Sequence, residues 1–396
     1  MVSQVQAEPA STERLRRQNV SLVLRSLRRE GPATRTELAQ RTGLAKATVG
    51  VIVADLEGAR AVVEEESRSG ARGRPGRPVA LRGDRFLALG LEINVDYVAA
   101  VVLDLAGEIR LVETRPTPIE VLGREQALLD LVEEVVVPAL AGRVLVGATL
   151  AVPGLVRGDN RTVAWAPNVS LRGESLVQRL DRVLGGRCRI RVSNDANCAA
   201  YAETHHGAAT DSQHVLYLTG TVGIGAGIVE GGQLVRGATG FAGEVGHMPV
   251  GDPEALCGCG RRGCWEASIG LHAMLDAVGM SELATPLDTS RAVATRALAD
   301  ARVRAGLARL GHDVGLGLTV LATVLDPAVV VLGGYFVPLG DLVLEPARRT
   351  LDERLVSDVQ RRPDLRPGAL GIQAAALGAA EWSFGDLFAG ELDLAG

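Results

Sequence analysis

One histidine and three cysteines lie close together in the second half of the chain, and they constrain its fold more than any other feature. They are His247, Cys257, Cys259 and Cys264, at the spacing H-x9-C-x-C-x4-C. Three thiolates and one imidazole form the closed tetrahedral ligand set that a structural zinc ion takes. The sequence therefore predicts a zinc-bound loop over residues 247–264. Glu244 and Glu266 flank this loop, and because a closed zinc site needs neither carboxylate, both are candidates for binding a ligand.

Length and composition allow more than one folded unit. The chain has 396 residues, of which 47% are hydrophobic and only 3% aromatic, so it can build two or three aliphatic cores. Five cysteines, three of them in one cluster, fit metal binding in a reducing compartment better than a disulfide framework. Cys188 and Cys198 are expected to be ordinary buried thiols.

The sequence shows neither a secretion signal nor a membrane span. Residues 1–13 are polar and lack the charged-then-apolar order of a signal peptide, and residues 1–12 are predicted to be a disordered tail. The longest apolar run, residues 314–325, is too short to cross a bilayer and ends at Asp326-Pro327. We therefore expect a cytoplasmic protein with no membrane partner.

Charge is distributed unevenly along the chain. Residues 1–83 contain 15 basic and 9 acidic residues, whereas residues 84–396 contain 27 basic and 38 acidic residues. A basic amino-terminal region joined to an acidic remainder is typical of a nucleic-acid-binding domain attached to a second functional unit. We call residues 13–83 the head and residues 84–396 the body.

The head has the pattern of a helix-turn-helix. One helix is predicted at residues 15–29, and Thr34 with Glu37 forms a capping box at the start of the next. Gly43 fits the tight turn before a second, amphipathic helix predicted at residues 44–56. In this motif the amino-terminal residues of the second helix enter the major groove of DNA. The predicted DNA-contacting residues are Thr36, Lys46, Ala47 and Thr48.

An arginine-rich segment completes a winged domain. Residues 61–65 are predicted to form a strand, and arginines spaced among glycine and proline follow it. Arg72, Arg74 and Arg77 cannot pack a core at this spacing, but they can lie along phosphates or enter a narrow minor groove. Two other interpretations stay open. This segment can be a flexible linker with solvated charges, and the whole head can be a protein-binding winged helix.

The body contains two successive series of strands and helices, which favours two α/β lobes over one doubly wound sheet. Strands are predicted at residues 87–93, 97–105, 108–113, 144–152, 188–192, 214–218, 226–229 and 328–332. Helices are predicted at residues 124–140, 176–184, 269–278 and 291–323, with a glycine-rich turn at residues 219–225.

Several short motifs in the body resemble those of the ROK family of sugar kinases and sugar-responsive repressors, and the resemblance covers essentially the whole chain. Beside the cysteine cluster they are Val152-Pro153-Gly154, Ala166-Pro167-Asn168, Asn194-Asp195-Ala196-Asn197, Gly223-Ile224-Gly225-Ala226-Gly227, Ala242-Gly243-Glu244-Val245-Gly246-His247 and Leu332-Gly333-Gly334. The cluster is highly specific, whereas each glycine motif alone is weak. The helix-turn-helix is similar to the repressor branch, which includes xylose and N-acetylglucosamine repressors.

The resemblance implies a fold and a division of the chain. The expected fold class is α/β, with an N-terminal winged helix-turn-helix followed by a two-lobed, actin-like (ribonuclease H-like) sugar-kinase fold. Residues 84–205 are expected to form the first lobe, and residues 206–370 the second lobe with the zinc cluster. Residues 371–396 are expected to contain a helix, about 374–388, that returns to the first lobe.

The sequence departs from the family's kinase pattern at the phosphate loop. Kinases of this family carry Asp-x-Gly-Gly-Thr after the first strand, where glycines let backbone N–H groups approach phosphates. This chain has Glu92-Ile93-Asn94-Val95-Asp96 there. Both glycines are absent, and Asp96 replaces the threonine with a charge that repels phosphate oxygens. A second Gly-Thr pair, in the turn at residues 219–223, is shifted by one position. We therefore predict that the chain is not an enzyme.

The sugar-binding side of the resemblance is intact. In the family's kinases the aspartate of the Asn-Asp motif acts as a general base on the sugar hydroxyl, and here Asp195 matches it as a ligand-binding or vestigial residue. The resemblance implies sugar contacts at Asn168, Asn194, Asp195, Glu244, His247 and Glu266. His247 is expected to bind zinc through one ring nitrogen and a sugar hydroxyl through the other, so that the metal fixes its tautomer.

These observations predict a sugar-responsive DNA-binding regulator of carbohydrate metabolism genes, a repressor in most such proteins, with structural zinc as its cofactor. Its expected partners are a palindromic operator, a sugar or sugar derivative such as xylose, and a second copy of itself in a homodimer or homotetramer. Two alternatives stay open. The chain can be an active ATP-dependent sugar kinase with a DNA-binding head, or a repressor controlled by a protein partner.

Overall fold

The structure, a computed structural model, describes residues 12–66, 76–117, 123–221, 223–355, 361–392 and 394. The predicted disordered tail lies outside the described residues except for Thr12, at which the first helix begins. Arg72 and Arg74 of the predicted wing also lie outside the described residues.

Three helices and a small antiparallel sheet form the head. The helices are α1 (Thr12–Glu30), α2 (Arg35–Thr42) and α3 (Lys46–Gly58). The strands are β1 (Ala33–Thr34), β2 (Val62–Glu64) and β3 (Pro78–Leu81), in the order β1-β3-β2. Because β2 and β3 lie on either side of the arginine-rich segment, the fold is a helix-turn-helix with a β-wing.

The turn between α2 and α3 forms as its sequence predicts. The Thr34 hydroxyl accepts a hydrogen bond from the Glu37 amide at 3.3 Å, and the Glu37 carboxylate accepts one from the Thr34 amide at 2.8 Å, which completes the capping box. Gly43 has φ 71°, the left-handed conformation that ends α2. Helix α3 begins at Lys46, two residues later than predicted, because Ala45 is its extended N-cap residue.

The body contains the remaining helices and strands. Its strands are β4 (Phe86–Ile93), β5 (Tyr97–Asp104), β6 (Ile109–Pro116), β7 (Val144–Val152), β8 (Leu155–Val156), β9 (Val163–Ala166), β10 (Leu171–Gly173), β11 (Ile190–Asn194), β12 (Val215–Gly220), β13 (Ile224–Glu230), β14 (Gln233–Leu234), β15 (Val329–Gly334) and β16 (Asp364–Pro367). Its helices are α4 (Arg124–Leu131), α5 (Val137–Ala139), α6 (Ser175–Leu184), α7 (Asp195–His206), α8 (Glu266–Ile269), α9 (Leu271–Val278), α10 (Pro286–Ala297), α11 (Ala301–Leu325), α12 (Phe336–Leu339), α13 (Asp341–Arg354), α14 (Ala374–Ser383) and α15 (Gly385–Phe388).

Two five-stranded sheets with the same topology dominate the body. The first has the order β11-β7-β4-β5-β6 and the second the order β16-β15-β12-β13-β14. In each sheet an antiparallel meander of three strands is extended by two strands parallel to its first strand. This repeated mixed sheet confirms the predicted two-lobed α/β fold and excludes one continuous doubly wound sheet. A separate three-stranded sheet, β10-β9-β8, follows β7.

Helix α14 packs against α7 and the first sheet, so the carboxyl-terminal part of the chain returns to that sheet. Glycine makes this close approach possible at two positions. A side chain at Gly90 on β4 would overlap the carbonyl oxygen of Ala376, and one at Gly378 would overlap the carbonyl oxygen of Cys198 on α7. The first sheet, α14 and α7 therefore form consecutive packed layers.

The head shares a hydrophobic core with the body. Val23 and Leu24 of α1 belong to the same buried cluster as Phe384 beside α14 and Ala88 on β4. The Ser21 hydroxyl donates a hydrogen bond of 2.6 Å to the carbonyl oxygen of Phe388. The first helix of the head is therefore packed onto the first sheet and the carboxyl-terminal helices.

Several predicted element boundaries are wrong. The helix predicted at residues 291–323 is two helices, α10 and α11, because Asp300 caps the second by accepting from the Arg302 amide at 2.9 Å. The predicted turn at residues 219–225 is shorter, since β12 continues to Gly220 and β13 begins at Ile224. Residues 132–136 of the predicted helix 124–140 form a π-helical turn, and the predicted carboxyl-terminal helix is divided at Phe384.

Within the part of the chain that the structure describes, no helix combines the length and hydropathy needed to cross a membrane.

Candidate ligand-binding cleft and metal centre

The cleft between the two five-stranded sheets lies at the carboxyl ends of their parallel strands, where open α/β sheets bind ligands. It contains two adjoining cavities of about 720 and 710 Å³, which we call the first and second cavities. Asp195, Val95, Thr219 and Thr221 line both of them. All six predicted sugar-binding residues line the first cavity: Asn168, Asn194, Asp195, Glu244, His247 and Glu266.

Asn194 and Asp195 face the first cavity because they lie where β11 ends and α7 begins. Asn194 is the N-cap residue of α7, and its side chain accepts a hydrogen bond from the Asn197 amide at 3.1 Å. Its amide group donates to the carbonyl oxygen of Gly154 at 3.2 Å and to the Asp195 carboxylate at 3.1 Å. The cap therefore fixes the direction of the Asp195 carboxylate, which keeps capacity for a ligand hydroxyl.

Acidic groups dominate the electrostatics of the first cavity. Burial raises the pKa of Asp195 to about 7, and the nearby Glu244 charge adds to this effect. Burial also raises the pKa of Glu244, with a further contribution from Glu266. Closely placed carboxyl groups of this kind are good partners for the hydroxyl groups of an uncharged ligand, because they can accept and, when protonated, donate.

Glu266 is less available to a ligand than the sequence suggests. One of its oxygens accepts a hydrogen bond from the Ile224 amide at 2.8 Å, and the other lies 3.5 Å from the Cys257 sulfur. Glu266 therefore joins the cysteine cluster to the β12–β13 turn while it lines the cavity.

The four predicted metal ligands come together beside the first cavity. The ligand atoms of His247, Cys257, Cys259 and Cys264 all lie within 4.8 Å of one another. The Cys259 and Cys264 sulfurs are 3.6 Å apart, and the Cys257 sulfur is 3.8 Å from His247 Nδ1. Zinc–sulfur bonds of about 2.3 Å in a tetrahedron place two sulfurs roughly 3.8 Å apart, so these residues fit a tetrahedral divalent ion.

His247 connects this cluster to the cavity. Because Nδ1 lies 3.8 Å from the Cys257 sulfur, Nε2 is the ring nitrogen left for a ligand, and the double role predicted from the sequence stays a prediction. Trp265, the neighbour of Cys264, is fully buried, and its indole N–H donates to the carbonyl oxygen of Asp313 on α11 at 2.8 Å. The cluster is therefore anchored in the core of the second sheet.

Sequence reasoning missed several residues of the first cavity. Trp165 on β9 and Phe241 provide apolar surface, and Arg261, between two cysteines of the cluster, provides the only arginine among the lining residues. Trp165 carried a usable signal, since it directly precedes the Ala166-Pro167-Asn168 motif. Phe241 carried a similar signal, since it directly precedes the Ala242-Gly243-Glu244 motif.

Residues 92–96, which match the family's phosphate loop, form hydrogen bonds with one another and with Tyr97. The Asn94 side chain accepts from the Val95 amide at 2.7 Å and donates to a Glu92 carboxylate oxygen at 2.9 Å. The Tyr97 hydroxyl donates to the same oxygen at 2.7 Å. Burial raises the pKa of Glu92 to about 7, and Asp195 contributes with the same sign. The backbone N–H of Val95 is thus already satisfied, and a buried acidic group belongs to the segment that matches the family's phosphate loop.

The described DNA-contacting candidates are exposed or half-buried in the head. Thr36, Lys46 and Ala47 are exposed, and Thr48 is half-buried at the start of α3. The Arg77 side chain is 71% exposed, with its guanidinium 3.9 Å from Glu64. The leading end of α3 is therefore accessible.

Comparison with known proteins defines the family. Residues 88–385 match the model of the ROK family. The chain belongs to the ROK family. The xylose repressor of Bacillus subtilis (strain 168) is 29% identical over 368 residues, covering 91% of this chain and 93% of the repressor. The glucokinase of Streptomyces coelicolor is 32% identical over 315 residues, covering 74% of this chain and 96% of the kinase.

A solved ROK structure extends the comparison to the fold. A ROK family transcriptional regulator, a homologue of the Escherichia coli MLC protein, matches with a TM-score of 0.79 at 22% identity, over 95% of this chain and 98% of that chain. This likeness shows the shared fold. Because the repressor alignment covers 91% of this chain, it must include part of residues 1–83, whereas the glucokinase alignment is short enough to fit within the body. The repressor alignment therefore extends into the head, whereas the length of the glucokinase alignment does not require it to.

Proposed function

We propose that this ROK protein is a sugar-responsive DNA-binding transcriptional regulator, acting as a repressor, and that it does not phosphorylate its sugar. The sugar binds in the first cavity through the six predicted sugar-binding residues among its lining, and xylose is the first candidate because repressors named for xylose are among the similar proteins. The observation that carries the proposal is the contrast between an accessible first cavity and a phosphate loop filled by Glu92, Asn94 and Tyr97.

Zinc is the metal proposed for the cluster of His247, Cys257, Cys259 and Cys264. Thiolate and imidazole ligands in a compact tetrahedral arrangement favour zinc, and all four positions are supplied by the protein, as in a structural site. Bound zinc holds the imidazole of His247 in place, and Nε2 then faces the cavity as a hydrogen-bonding group.

The head is proposed to bind a palindromic operator as part of a homodimer or homotetramer. Helix α3 enters the major groove with Lys46, Ala47 and Thr48 leading, and Thr36 lies near the backbone. Arg77, together with Arg72 and Arg74, contacts phosphates or the minor groove. Residues 13–83, 84–205, 206–370 and 371–396 remain our proposed division into head, first lobe, second lobe and returning helix.

Helix α7 is the proposed connection from the sugar to the head. Its first residue, Asp195, lines the first cavity, and its last residue, His206, lies at the opposite end of the same 12-residue helix. Glu203, near that end, is buried and accepts hydrogen bonds from the amides of Ala369 and Leu370 at 2.9 and 3.1 Å. A displacement of Asp195 on sugar binding therefore moves a helix that is hydrogen-bonded at its far end.

Glu381 joins the far end of α7 to the head. Its carboxylate lies 3.0 Å from His206 Nε2 and forms an ion pair with Arg28 of α1. Arg28 also donates to the carbonyl oxygen of Leu105 at 3.0 Å. Although burial alone raises the pKa of Glu381, His206 and Arg28 together lower it to about 2, so the carboxylate is charged. The head thus contacts a buried charge that the sugar-binding helix also contacts.

Regulation requires that the sugar bind two conformations with different affinity. We propose that cleft closure around the sugar displaces α7 and changes the position of α1 through Glu381. In a dimer this alters the relative placement of the two recognition helices and therefore the affinity for a palindromic operator.

Two measurements test this proposal. A thermal-shift screen of sugars identifies the ligand, since a binder at a hundredfold excess over Kd stabilises the folded state by about 2.7 kcal/mol. A DNA duplex selected by the protein from a random pool is then titrated by fluorescence anisotropy with and without that sugar. We expect the sugar to change the DNA affinity at least tenfold. Unchanged DNA affinity with saturated sugar would support control by a protein partner instead.

A coupled ADP-release assay with the same sugar separates this proposal from the kinase alternative. We expect no sugar-dependent turnover above background. Turnover near 1 per second, an ordinary enzyme rate, would identify the protein as a sugar kinase with a DNA-binding head.

A further inference from the structure

A short segment that follows β14 of the second sheet contacts the loop between β8 and β9, beside the first cavity. We call this segment, residues 236–240, the clasp. The Arg236 guanidinium donates a hydrogen bond to the carbonyl oxygen of Gly158 at 2.9 Å and another to the Asn160 side chain. In the opposite direction, the Gly158 amide donates to the carbonyl oxygen of Thr239 at 3.0 Å. Hydrogen bonds donated from both sides therefore join the two segments.

The β8–β9 loop offers the clasp a fixed surface. The carbonyl oxygen of Asn160 accepts a hydrogen bond from the Val192 amide on β11 at 2.8 Å, which ties the loop to the first sheet. The backbones approach so closely that a side chain at Gly240, which has φ 96°, would overlap the carbonyl oxygen of Val156. Leu155, at the start of this loop, lines the first cavity. The clasp is therefore fitted to a wall of that cavity.

The hydrogen bonds of the clasp suit a contact that can be released. The acceptors of Arg236 are a carbonyl oxygen and a side-chain amide oxygen, and no carboxylate among the described residues forms an ion pair with it. Burial lowers the pKa of Arg236, and the neighbouring charge of Arg191 adds to this effect. Because hydrogen bonds to neutral acceptors are weaker than those to a carboxylate, the clasp holds without the strength of a buried ion pair.

The clasp leads directly into the first cavity. Phe241 follows it immediately and Glu244 lies three residues further on, and both line the cavity. The Ala242 amide donates a hydrogen bond to the carbonyl oxygen of Arg236 at 3.1 Å, which closes residues 236–242 into one loop. A displacement of the Arg236 backbone therefore displaces two of the side chains that face a ligand.

The clasp also contacts the carboxyl-terminal helix that holds the head. The guanidinium carbon of Arg236 lies 5.8 Å from the centre of the Trp382 ring on α14, within the range of a cation–π contact. Trp382 directly follows Glu381, whose carboxylate forms an ion pair with Arg28 of the head. One guanidinium therefore contacts both the wall of the first cavity and the helix to which the head is attached.

We propose that Arg236 is a positioning residue for the sugar, whose bonds to the β8–β9 loop hold Phe241 and Glu244 in the first cavity. Its contact with Trp382 passes the position of this loop to the helices that carry the head. The inference rests on the proposed function and adds a connection to the head that does not use α7. Because the clasp joins two walls of the cavity, its loss should speed sugar dissociation more than it slows association.

Sugar binding to the full-length protein tests the positioning role. The probes are D-xylose, D-glucose and N-acetyl-D-glucosamine, with affinity measured by calorimetry and rates by stopped-flow tryptophan fluorescence. For the probe that wild type binds best, Arg236→Ala should weaken binding about tenfold, mainly through faster dissociation. Arg172→Ala, an exposed arginine on β10 of the same small sheet, is the matched control and should change neither rate. A general loss of stability would lower the free energy of unfolding without changing the dissociation rate of the folded protein.

Two further variants separate a direct role of Arg236 from a structural one. Asn160→Gly removes the accepting side chain and suits the left-handed backbone at this position, φ 57°. It should weaken sugar binding about threefold, and the double variant with Arg236→Ala should bind no more weakly than Arg236→Ala alone. Arg236→Lys keeps the charge and one donor and should lose only about threefold. If Arg236→Ala does not fold, Arg236→Lys and Asn160→Gly decide the question.

Trp382→Leu tests the connection to the head. It should leave sugar affinity within about twofold of wild type and reduce the effect of the sugar on DNA affinity at least about threefold. Unchanged sugar affinity in Arg236→Ala, or additive losses in the double variant, would overturn the positioning role. A full sugar response in Trp382→Leu would overturn the connection. If wild type binds none of the three probes, the proposed function fails as well, whereas normal wild-type binding with unaffected variants removes this inference alone.

Discussion

The two cavities of the cleft share Asp195, Val95, Thr219 and Thr221, but they differ in which polar groups are available to a ligand. In the first, Asp195 is fixed by its helix cap, and His247 presents a ring nitrogen from the metal cluster. In the second cavity, the Asn94 and Tyr97 side chains donate hydrogen bonds to the Glu92 carboxylate, and the Val95 amide donates to the Asn94 side chain. Under the proposed function, the first cavity therefore binds hydroxyl groups and the second does not bind phosphate.

This difference shows how one fold can host catalysis or sensing. A ROK glucokinase and a ROK repressor both align over most of the body. Phosphoryl transfer depends almost entirely on positioning and electrostatic stabilisation of the phosphates. Under the proposed function, the side chains of residues 92–97 remove this reaction and leave the sugar cavity in place.

The largest expected effect concerns the metal cluster on which the first cavity is built. Cys264→Ala removes one of four ligands, and we expect loss of the metal and a decrease of more than about 4 kcal/mol in the free energy of unfolding. Elemental analysis and urea unfolding measure the two quantities. Cys188→Ala, a half-buried thiol outside the cluster, is the control. Folded, ligand-binding wild-type protein with almost no bound metal would contradict this prediction.

The next effect tests whether the first cavity is connected to the head. Arg28→Ala removes the arginine partner of the buried Glu381 carboxylate and leaves it beside His206, and we expect a loss of about 3 kcal/mol in stability together with a weaker sugar effect on DNA affinity. Arg25→Ala, at an exposed position on the same helix, is the matched control. A variant that keeps the full sugar response would show that the connection runs elsewhere.

Asp195 allows a direct test of the first cavity. Asp195→Asn removes a carboxylate that accepts hydroxyl hydrogen bonds, and we expect sugar affinity to fall about a hundredfold, on the order of 3 kcal/mol, with DNA affinity in the absence of sugar unchanged. Calorimetry and anisotropy measure the two affinities. Asp181→Asn, an exposed acid on α6, serves as the control. Undiminished sugar affinity would remove Asp195 from the proposed contacts.

The buried Glu92 of the second cavity should make the free energy of unfolding depend on pH. Glu92 has a pKa of about 7 in the folded protein against an ordinary value of 4.5, so the folded state holds a proton that the unfolded chain releases. The free energy of unfolding should therefore fall as pH rises from about 5 to about 8, on the order of 2 kcal/mol for this group. Urea unfolding of Glu92→Gln should show a flatter profile than wild type, and an identical profile would contradict the assignment.

The smallest expected effect is at the DNA surface. Lys46→Ala at the start of α3 should weaken DNA binding about fivefold and reduce the slope of log affinity against log salt concentration by about 1. Arg302→Ala, an exposed cation at the start of α11 in the body, should leave both unchanged. An effect of equal size from Arg302→Ala would mean that DNA contacts the body as well.

Local sequence signals predicted the parts of the fold that depend on neighbouring residues. The capping box of Thr34 and Glu37, the left-handed turn at Gly43 and the gathering of the histidine and three cysteines all depend on short spacings that can be read directly. The apolar spacing of residues 291–323 predicted one continuous helix, and the boundary at Asp300 was missed. Asp300 is an N-cap residue, but it lies inside an otherwise helical pattern.

Long-range arrangements could not be predicted in this way. Arg28, His206 and Glu381 meet in one buried cluster although they are far apart in the sequence, and no spacing rule connects them. The hydrogen bonds of Asn94 and Tyr97 to Glu92 likewise depend on side-chain directions that only the folded β4–β5 turn defines. The sequence showed that residues 92–96 depart from the kinase pattern, and the structure shows the hydrogen bonds that these residues form instead.

The comparison between the two cavities is tested most directly by calorimetry on one sample of the full-length protein. The protein is titrated separately with the sugar found in the thermal-shift screen and with a non-hydrolysable ATP analogue in the presence of magnesium. We expect the sugar to bind with a measurable enthalpy and the ATP analogue to give none, with or without sugar. Saturable binding of the ATP analogue would contradict the proposed loss of phosphate binding.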